Sequence, residues 1–335
     1  MTPKISVVMP VYNTKKEYLR EAIDSILRQS FTDFEFIIVD DCSDEETKRV
    51  LAAYSDSRIN VYHNEKNLGV AGSLNRALEM SKGKYIARMD SDDVAVDARL
   101  AMQWEYMEKH PEVIALGGVA KVIGKKEFRG CFSKKKRSEL QLELIFNNIN
   151  LVHPTVMFRG TVIRENGLFY DEAMVAEDYE LWTRCIQYGD IVSIPQILLY
   201  YRVHEQQVTS SKRELIIQGT NEVRSRQLKN MGMELNEQEK KIFNELREYR
   251  CLESEKNLDL FLNKLEKFLK GKGYPQAGSL LWHYWVCIMR EYGIGKMLKY
   301  RRTYQVMRPT CFFYNFRHYW FEKIWIQMIV RKIYM

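Results

Sequence analysis

Residues 5–13 read ISVVMPVYN, a short run of apolar and β-branched residues that ends in polar ones. Similar apolar runs recur along the next eighty or so residues, and stretches with apolar residues at helical spacing separate them. The predicted strands are Ile5–Met9, Phe36–Val39, Ile59–Tyr62 and Tyr85–Ala87, and the predicted helices are Lys16–Gln29, Glu45–Tyr54 and Ala71–Ser81. Repeated strand–helix units with apolar strands predict an α/β fold in which helices flank a mostly parallel sheet.

The pattern becomes less regular after Val122. A basic, glycine-containing loop at 124–136 precedes predicted helices at 138–148 and 177–188 and predicted strands at 153–159 and 197–201. Long charged segments of helical character follow from Glu214 onward. We therefore predict an α/β domain at 1–212, with halves at about 1–122 and 123–212, and a mainly helical C-terminal region at 213–335.

The composition is that of a globular protein with an excess of positive charge. The chain has 335 residues, of which 46% are hydrophobic, and its formal net charge is +7. Such an excess suits anionic partners such as nucleotide diphosphates, acidic lipids or nucleic acid. The six cysteines are scattered and form no CxxC pair, which argues against a structural zinc site and against a disulfide framework.

Neither a secretory signal nor a membrane-spanning segment is evident from the sequence. The first residues run directly into a predicted strand, without the apolar stretch of a signal peptide. The apolar run Leu280–Met289 has about half the length that a spanning helix needs. We expect a cytoplasmic protein that contacts the membrane surface.

Polar clusters follow three of the predicted strands, and two of them are rich in carboxylates. The clusters are Pro10-Val11-Tyr12-Asn13, Asp40-Asp41-Cys42-Ser43-Asp44 and Met89-Asp90-Ser91-Asp92-Asp93. Because ligands bind beyond the carboxyl ends of parallel strands, we expect these clusters to line one site. Neighbouring carboxylates raise each other's pKa, and a divalent cation relieves that repulsion. Carboxylate oxygens suit magnesium or manganese, which also take ligands from a substrate diphosphate.

The alternative interpretation is that these aspartates cap helices and stabilise turns, as aspartates after strands often do. Capping is the favoured interpretation for Ser43–Glu46. It explains Asp90 and Asp92 less well, because one cap needs only one of them. The residues alone leave both interpretations open.

Four ordered motifs resemble those of the family 2 glycosyltransferases, which have the GT-A fold. The motifs are residues 5–13, 39–44, 67–69 and 89–93, and the resemblance covers roughly the first 205 residues. The resemblance implies inverting transfer of a hexose or N-acetylhexosamine from a UDP-sugar to a glycan hydroxyl, with Mn²⁺ or Mg²⁺ as the cofactor. Because common UDP-hexoses are α-linked, the product would carry a β-glycosidic bond. Similar bacterial enzymes build capsule and O-antigen polysaccharides, often on lipid-linked acceptors.

The resemblance assigns most of the matched residues to the nucleotide. Pro10, Tyr12 and Asn13 would line its pocket, and Asp41 would hydrogen-bond the uracil edge. The Asp-x-Asp motif, Asp90-Ser91-Asp92, would contact the ribose and the metal region through Asp90 and bind the metal through Asp92.

Three further residues have two interpretations each. Asn67 and Gly69 would shape a loop under the nucleotide, although turn chemistry alone also explains them. Arg76 would approach the base or the diphosphate, and its alternative is a solvated helix face.

The Glu177-Asp178 pair resembles the family's Glu-Asp segment at the start of a helix. Asp178 would be the general base, because inversion is a single displacement in which a carboxylate must take the acceptor's proton. Glu177 would then contact the acceptor. Because a carboxylate at a helix start is stabilised by the helix dipole, capping is the alternative for either residue.

An aromatic residue and two histidines complete the predicted site. Trp182, one helical turn after Asp178, would stack on an acceptor sugar or pack in the core. The resemblance extends to the segments that contain His153 and His204. We predict that His153 lies on the acceptor side and that His204 completes the metal shell; a packed or capping role is the alternative for His204.

The C-terminal region combines basic and aromatic residues. Basic residues between Lys296 and Lys332 are mixed with aromatic ones between Phe312 and Trp325. This pattern favours docking on an anionic membrane surface, and packing as a helical subdomain is the alternative. Nucleic acid is a poor fit, because no binding motif is present and an aspartate-lined site repels phosphate without a metal.

Two other functions remain as alternatives. A sugar-phosphate nucleotidyltransferase would need a glycine-rich, basic loop after the first strand, where this chain has residues 10–13, PVYN. A catalytically inactive membrane-associated scaffold of the same fold would not be stabilised by UDP and manganese. A nicotinamide dehydrogenase is disfavoured, because no Gly-x-Gly-x-x-Gly motif follows a strand.

Overall fold

The structure is a computed structural model that describes residues 2–130, 135–204, 213–248 and 255–291. Its contacts divide the chain into two compact units, Met1–Arg224 and Ser225–Met335. The division falls inside the helix Arg213–Asn230, whereas the boundary predicted from the sequence lies just before that helix.

The first unit contains a nine-stranded sheet with helices on both faces. Its strands are β1 Ile5–Val11, β2 Phe34–Asp40, β3 Ile59–His63, β4 Tyr85–Arg88, β5 Val94–Ala95, β6 Val113–Val122, β7 Phe128–Arg129, β8 Met157–Arg159 and β9 Asp190–Tyr201. Its helices are α1 Lys16–Leu27, α2 Glu45–Ala52, α3 Gly69–Met80, α4 Arg99–Lys109, α5 Arg137–Phe146, α6 Gly160–Glu165 and α7 Glu177–Cys185.

The sheet is mixed rather than uniformly parallel. Its strand order is β3-β2-β1-β4-β8-β6-β9-β5, and β7 pairs with β6. The first four strands are parallel to one another, as the sequence predicts. Beyond them β8 runs antiparallel to both of its neighbours, and β5 runs antiparallel to β9. The α/β fold class is confirmed, and on the other side of the sheet β6 and β9 are again parallel to each other.

Several segments differ from the sequence prediction, such as α4, which was not predicted, and β9, which begins at Asp190 rather than at 197; for two others the reason can be identified. The strand β6 was not predicted, because Gly117 and Gly118 interrupt its apolar pattern. A Cβ atom at Gly117 would lie 2.4 Å from a methyl carbon of Leu151, so the Leu151 side chain occupies the space that a side chain at position 117 would need. The segment 153–159, predicted as one strand, begins with a 3₁₀ turn at His153–Thr155 and becomes a strand only in β8. The reason is Pro154, which has no backbone N–H to donate to a neighbouring strand.

An apolar cluster covers each face of the sheet. On one face Val7 and Met9 of β1 pack with Ile23 of α1, and on the other Val8 packs with Leu74 of α3. This is the alternation of a strand that is buried on both sides. Helices cover both faces of the sheet, so a ligand cannot bind there. The site is therefore expected at the edge formed by the carboxyl ends of β1, β2 and β4.

The second unit is helical in the part that the structure describes. Its helices are the end of Arg213–Asn230, then Glu237–Leu246, Glu255–Gly271 and Ala277–Glu291. Trp285 is buried, and its indole N–H donates to Asp259 Oδ1 at 2.9 Å. Among the described helices, none has the length and apolarity needed to cross a membrane.

The apolar segment noted in the sequence, 280–289, lies in the last of these helices. Its side chains Leu281, Tyr284, Trp285 and Ile288 are buried. The basic and aromatic residues between Lys296 and Lys332, on which the membrane prediction depends, lie outside the described residues.

Candidate active site

Three aspartates converge directly after β4. One carboxylate oxygen from each of Asp90, Asp92 and Asp93 lies within 4.8 Å of the others. The segment 89–93 connects β4 to the short strand β5, so the sheet places these side chains at its carboxyl edge. The sequence prediction that the Asp-x-Asp motif forms a compact acidic group is consistent with this geometry.

Each of the three carboxylates has a different partner. Arg88 binds Asp90 through two contacts, at 2.7 and 2.6 Å. His204 Nε2 lies 2.7 Å from Asp92 Oδ2, so the two predicted metal ligands are adjacent. The backbone N–H of Arg202 donates to Asp93 Oδ1 at 2.9 Å. Among the described residues, Asp93 Oδ2 is buried and finds no hydrogen-bond partner.

The electrostatics of the cluster fit a divalent cation. Burial raises the pKa of Asp93 well above its usual range, and the charges of Asp90 and Asp92 raise it further. Burial also raises the pKa of Asp90, although the Arg88 guanidinium opposes the rise. Three carboxylates, one of them with an unpartnered buried oxygen, form an oxygen donor set that suits Mg²⁺ or Mn²⁺, and the His204 imidazole lies beside them.

Arg88 is a site residue that the sequence analysis missed. Its side chain is only 5% exposed, and a second buried arginine, Arg99, donates to its carbonyl oxygen at 2.6 Å. The positive charge of Arg88 lowers the pKa of Asp90 and also those of Glu177 and Asp178. The sequence did contain a signal for Arg88, since an arginine directly follows the apolar run Tyr85–Ala87. An arginine that is buried with such a strand needs a negatively charged or hydrogen-bonding partner nearby.

A second acidic group lies at the start of α7. Burial and the neighbouring Asp178 charge raise the pKa of Glu177 to about 7. Burial also raises the pKa of Asp178, while hydrogen bonds from the Tyr179 backbone and the Asn148 side chain oppose that rise. The Asn148 amide nitrogen lies 3.3 Å from both carboxylate oxygens of Asp178. A partly exposed carboxylate with a raised pKa is suited to accept a proton.

The structure corrects two predicted acceptor contacts. Trp182 is 0% exposed, and its indole lies between Phe158 and His153, with ring centroids 5.6 and 5.7 Å away. His153 is also buried, and its Nε2 lies 2.7 Å from the Tyr170 hydroxyl. Burial lowers the pKa of His153 well below its usual value. The prediction that Trp182 and His153 contact an acceptor was wrong, because both rings pack in the core.

Asp41 caps helix α3. Its carboxylate accepts hydrogen bonds from the backbone N–H groups of Leu68 and Gly69 at 2.7 and 2.8 Å, and from Asn64 Nδ2 at 2.7 Å. Gly69 has a φ of +76°, a conformation that favours glycine. The Asn67 side chain accepts a further hydrogen bond from Gly69 N at 3.2 Å. The turn chemistry considered for Asn67 and Gly69 is therefore present.

Arg76 is bound rather than solvated. Its Nη1 donates to the His63 carbonyl at 2.7 Å and to the Asn64 side-chain oxygen. Arg76 therefore links α3 to the end of β3, next to the Asp41 cap.

The remaining predicted nucleotide residues lie at the same edge of the sheet. Pro10 is partly buried at the end of β1, and Tyr12 beyond it is 54% exposed. Asn13, with φ of +46°, accepts a hydrogen bond from the Asp44 backbone at 2.8 Å. The hydroxyls of Ser91 and Thr14 lie 2.7 Å apart. These contacts connect the loops that follow β1, β2 and β4, so the predicted residues form one continuous surface.

Comparison with known proteins gives a consistent result. Residues 6–167 match a family model described as glycosyl transferase family 2. An uncharacterized glycosyltransferase of Methanocaldococcus jannaschii is 36% identical over 213 residues, which cover 60% of this chain and 71% of that protein. The Escherichia coli UDP-Glc:alpha-D-GlcNAc-diphosphoundecaprenol beta-1,3-glucosyltransferase WfgD is 29% identical over 210 residues, 62% of this chain and 80% of that protein. The fold resembles S. aureus TarS 1–349 in complex with UDP-GlcNAc, with a TM-score of 0.56 over 86% of this chain and 89% of that chain at 19% identity.

Proposed function

The chain belongs to glycosyl transferase family 2, and from this premise we propose that it transfers a hexose or N-acetylhexosamine from a UDP-sugar to a glycan hydroxyl. The transfer inverts the anomeric centre, so that an α-linked donor gives a β-linked product. The observation that carries the proposal is the group of Asp90, Asp92 and Asp93 at the carboxyl edge of the sheet. The choice of a UDP-sugar donor is supported by the name of WfgD, which specifies UDP-Glc, and by the TarS complex with UDP-GlcNAc.

The metal would be Mn²⁺ or Mg²⁺, held by Asp92 and His204, with Asp90 and Asp93 beside them. When bound, such an ion would supply positive charge to neutralise the departing diphosphate. Arg88 holds Asp90 in place through its two contacts, and the Arg202 backbone holds Asp93. These residues keep the acidic group assembled before a substrate arrives.

The nucleotide would bind along the surface formed by Pro10, Tyr12, Asn13 and Ser91, with the cap of α3 below it. The exposed Tyr12 ring offers a face on which the uracil can stack. Asp41 already accepts three hydrogen bonds, and a carboxylate has a further lone pair for the uracil N–H. Asn67, Gly69 and Arg76 would shape this surface through their contacts around Asp41 and Asn64.

Asp178 would be the general base. It removes the proton from the acceptor hydroxyl as that oxygen attacks the anomeric carbon of the donor. Asn148 holds the Asp178 carboxylate, and Glu177 beside it would hydrogen-bond the acceptor. Arg88 provides a positive charge that acts on both carboxylates and on Asp90.

The acceptor would be a lipid-linked glycan in the synthesis of a bacterial surface polysaccharide, such as a capsule or O-antigen. The protein would then act at the inner face of the cell membrane, as a peripheral protein in the cytoplasm. Support for a lipid-linked acceptor comes from the diphosphoundecaprenol acceptor in the name of WfgD, and support for membrane contact comes from the basic and aromatic composition of residues 292–335.

The test is a screen for metal-dependent release of UDP. Full-length protein is incubated with UDP-glucose, UDP-galactose, UDP-N-acetylglucosamine and UDP-N-acetylgalactosamine, with Mn²⁺ or EDTA. We expect slow hydrolysis of at least one donor with Mn²⁺, and a decrease of at least about 100-fold in Asp92→Asn, since a metal contributes several kcal/mol to such a step.

The matched control is Asp97→Asn, which changes an exposed aspartate a few residues further along the chain. It should hydrolyse the donor at the wild-type rate. The proposal is contradicted if wild-type protein hydrolyses none of the four UDP-sugars, or if Asp92→Asn retains the wild-type rate.

A further inference from the structure

A cavity lies beside the carboxylate that we propose as the base. Its volume is about 190 Å³, and it is formed by the start of β9, the loop after α5 and the α5 helix itself. Asn148 lines this cavity and also contacts Asp178 at 3.3 Å, so the two features share a wall. The cavity is separate from the aspartate cluster, because none of Asp90, Asp92 and Asp93 lines it.

A buried hydroxyl without a partner lines the cavity. Ser193 of β9 is 3% exposed, and among the described residues its Oγ has no hydrogen-bond partner. Buried polar groups in proteins are nearly always hydrogen-bonded, because an unsatisfied hydroxyl loses its interaction with water. A hydroxyl on a cavity wall that has no partner within the protein is available to hydrogen-bond a molecule that enters the cavity.

The chemistry of the walls selects a class of ligand. Asn148, Asn150 and Ser193 provide amide and hydroxyl groups that can both donate and accept. Leu151 and Ile191 provide an aliphatic surface. The charged pair on the wall, Lys135 and Glu143, is joined at 2.6 Å, so its charges largely compensate each other. A neutral sugar ring is complementary to such walls, because its hydroxyl groups can hydrogen-bond the polar residues and its C–H face can pack on the aliphatic ones.

We propose that this cavity is a subsite for a neutral sugar of the acceptor, with Ser193 and Asn150 as residues that determine acceptor specificity. The inference rests on the proposed function, since it assigns the acceptor to the side of Asp178. Asn148 connects the subsite to the base, because it is one of the residues that line the cavity and its amide nitrogen contacts the Asp178 carboxylate. A volume of about 190 Å³ suits one pyranose ring and excludes a longer glycan from the cavity itself.

The test uses p-nitrophenyl glycosides of glucose, galactose, N-acetylglucosamine and N-acetylgalactosamine, in both anomeric forms, as probes. Their binding to full-length protein with UDP and Mg²⁺, which is diamagnetic, is followed by saturation-transfer NMR. We expect saturation on the sugar-ring protons of at least one glycoside, and weaker saturation of p-nitrophenyl phosphate. Saturation confined to the aromatic protons, no binding of any glycoside, or preference for the phosphate would each overturn the inference.

Two substitutions at Ser193 make the test specific. Ser193→Ala removes the hydroxyl and should weaken glycoside binding about fivefold, the effect of one neutral hydrogen bond. Ser193→Val also fills part of the cavity and should weaken binding about tenfold or more. Neither substitution should lower the melting temperature, because no hydrogen bond within the protein is lost. Wild-type glycoside affinity in both variants would overturn the inference.

The matched control is Ser25→Ala, at a buried serine whose hydroxyl contacts the Ala22 carbonyl at 2.7 Å and the Ala95 N–H at 3.0 Å. This substitution should lower the melting temperature and leave glycoside affinity unchanged. Hydrolysis of UDP-sugars by the same wild-type preparation separates the two hypotheses. Absence of hydrolysis contradicts the proposed function, whereas hydrolysis without an effect of Ser193 on glycoside binding contradicts the acceptor subsite alone.

Discussion

At the scale of single residues, Glu177 and Asp178 are adjacent in sequence but differ in their surroundings. Asp178 is held by Asn148 and by the Tyr179 backbone, and both contacts favour its ionised form. For Glu177, burial and the Asp178 charge together raise the pKa to about 7. Two neighbouring carboxylates with different environments can divide their roles, one as the ionised base and the other as a hydrogen-bonding group.

We predict that Asp178→Asn lowers the transfer rate by about 100- to 10,000-fold, the usual contribution of a general base. UDP affinity should remain near the wild-type value, because the side chain lies on the acceptor side. Transfer of radiolabelled sugar and calorimetric titration with UDP measure the two quantities. Asp171→Asn, in the loop before α7, is the control, and equal losses of transfer and UDP affinity in Asp178→Asn would indicate a structural role instead.

The raised pKa of Glu177 predicts a pH-dependent effect on stability. Between the unfolded pKa of about 4.5 and the folded pKa of about 7, the folded state binds more protons, so ionisation of Glu177 destabilises the protein as the pH rises. Glu177→Gln removes this effect. Its melting temperature should equal that of the wild type near pH 4.5 and exceed it at pH 8.

The control for this measurement is Glu165→Gln, at the exposed end of α6. Its difference from the wild type should stay constant across the same pH range. A Glu177→Gln variant whose difference from the wild type is also constant would show that Glu177 does not carry the proposed destabilising charge.

The sequence was sufficient to predict which acidic residues come together at the site, but not which residues surround and hold them. Asp90, Asp92 and His204 are adjacent, because motif order and strand ends determine where their side chains lie. Arg88 was missed because it lies between the predicted strand Tyr85–Ala87 and the polar cluster that begins at Met89, whereas in the structure it is the last residue of β4. Trp182 was placed wrongly because helical spacing relative to Asp178 does not determine which face is buried.

At the scale of elements, the start of α3 connects stability with nucleotide binding. Helices leave their first N–H groups without partners inside the helix. In this chain the carboxylate of Asp41, which follows β2, accepts from Leu68 N and Gly69 N. The same residue is proposed to contact the uracil, so a substitution there should affect two properties.

We predict that Asp41→Ala lowers the free energy of unfolding by about 1–2 kcal/mol in the absence of nucleotide, the usual cost of a lost helix cap. It should also weaken UDP binding. Urea unfolding and UDP titration are the measurements. Asp44→Ala, which removes the cap of α2 at Thr47 N, is the control and should lower stability by about 1 kcal/mol with UDP affinity unchanged. Wild-type stability in Asp41→Ala would contradict the capping role.

Elements with a regular apolar pattern were predictable, and those shaped by tertiary contacts were not. The strands β1 and β2 and the helix α1 follow from local periodicity. The strand β6 contains Gly117 and Gly118. The side chains of Leu151 and Leu198 approach these two glycines closely and fill the space beside them. Such approaches involve residues distant in sequence, which periodicity does not reveal.

At the scale of the whole molecule, basic residues in 292–335 account for the proposed membrane contact. We predict that full-length protein binds phosphatidylglycerol vesicles and that Arg301→Gln, Arg302→Gln and Arg308→Gln together weaken this binding. A loss of about 100-fold corresponds to about 1 kcal/mol per basic residue near an anionic surface. Vesicle sedimentation at low and high salt is the measurement.

The control is the triple substitution Lys264→Gln, Lys267→Gln and Lys272→Gln, which changes the net charge equally but lies in and just after the helix Glu255–Gly271. Its vesicle binding should remain near the wild-type value. Equal binding by all three proteins would contradict the membrane proposal, and equal losses in both triple variants would indicate a response to net charge alone.

The central claim is that aspartates at the tip of β4 hold a divalent ion that stabilises a departing nucleotide. The most direct measurement is a crystal structure of full-length protein with UDP and Mn²⁺, in which anomalous scattering locates the manganese. We predict manganese in direct contact with an Asp92 carboxylate oxygen and with the UDP diphosphate. Manganese bound elsewhere, or UDP bound at this edge with Asp92 in contact with neither ion nor phosphate, would contradict the claim.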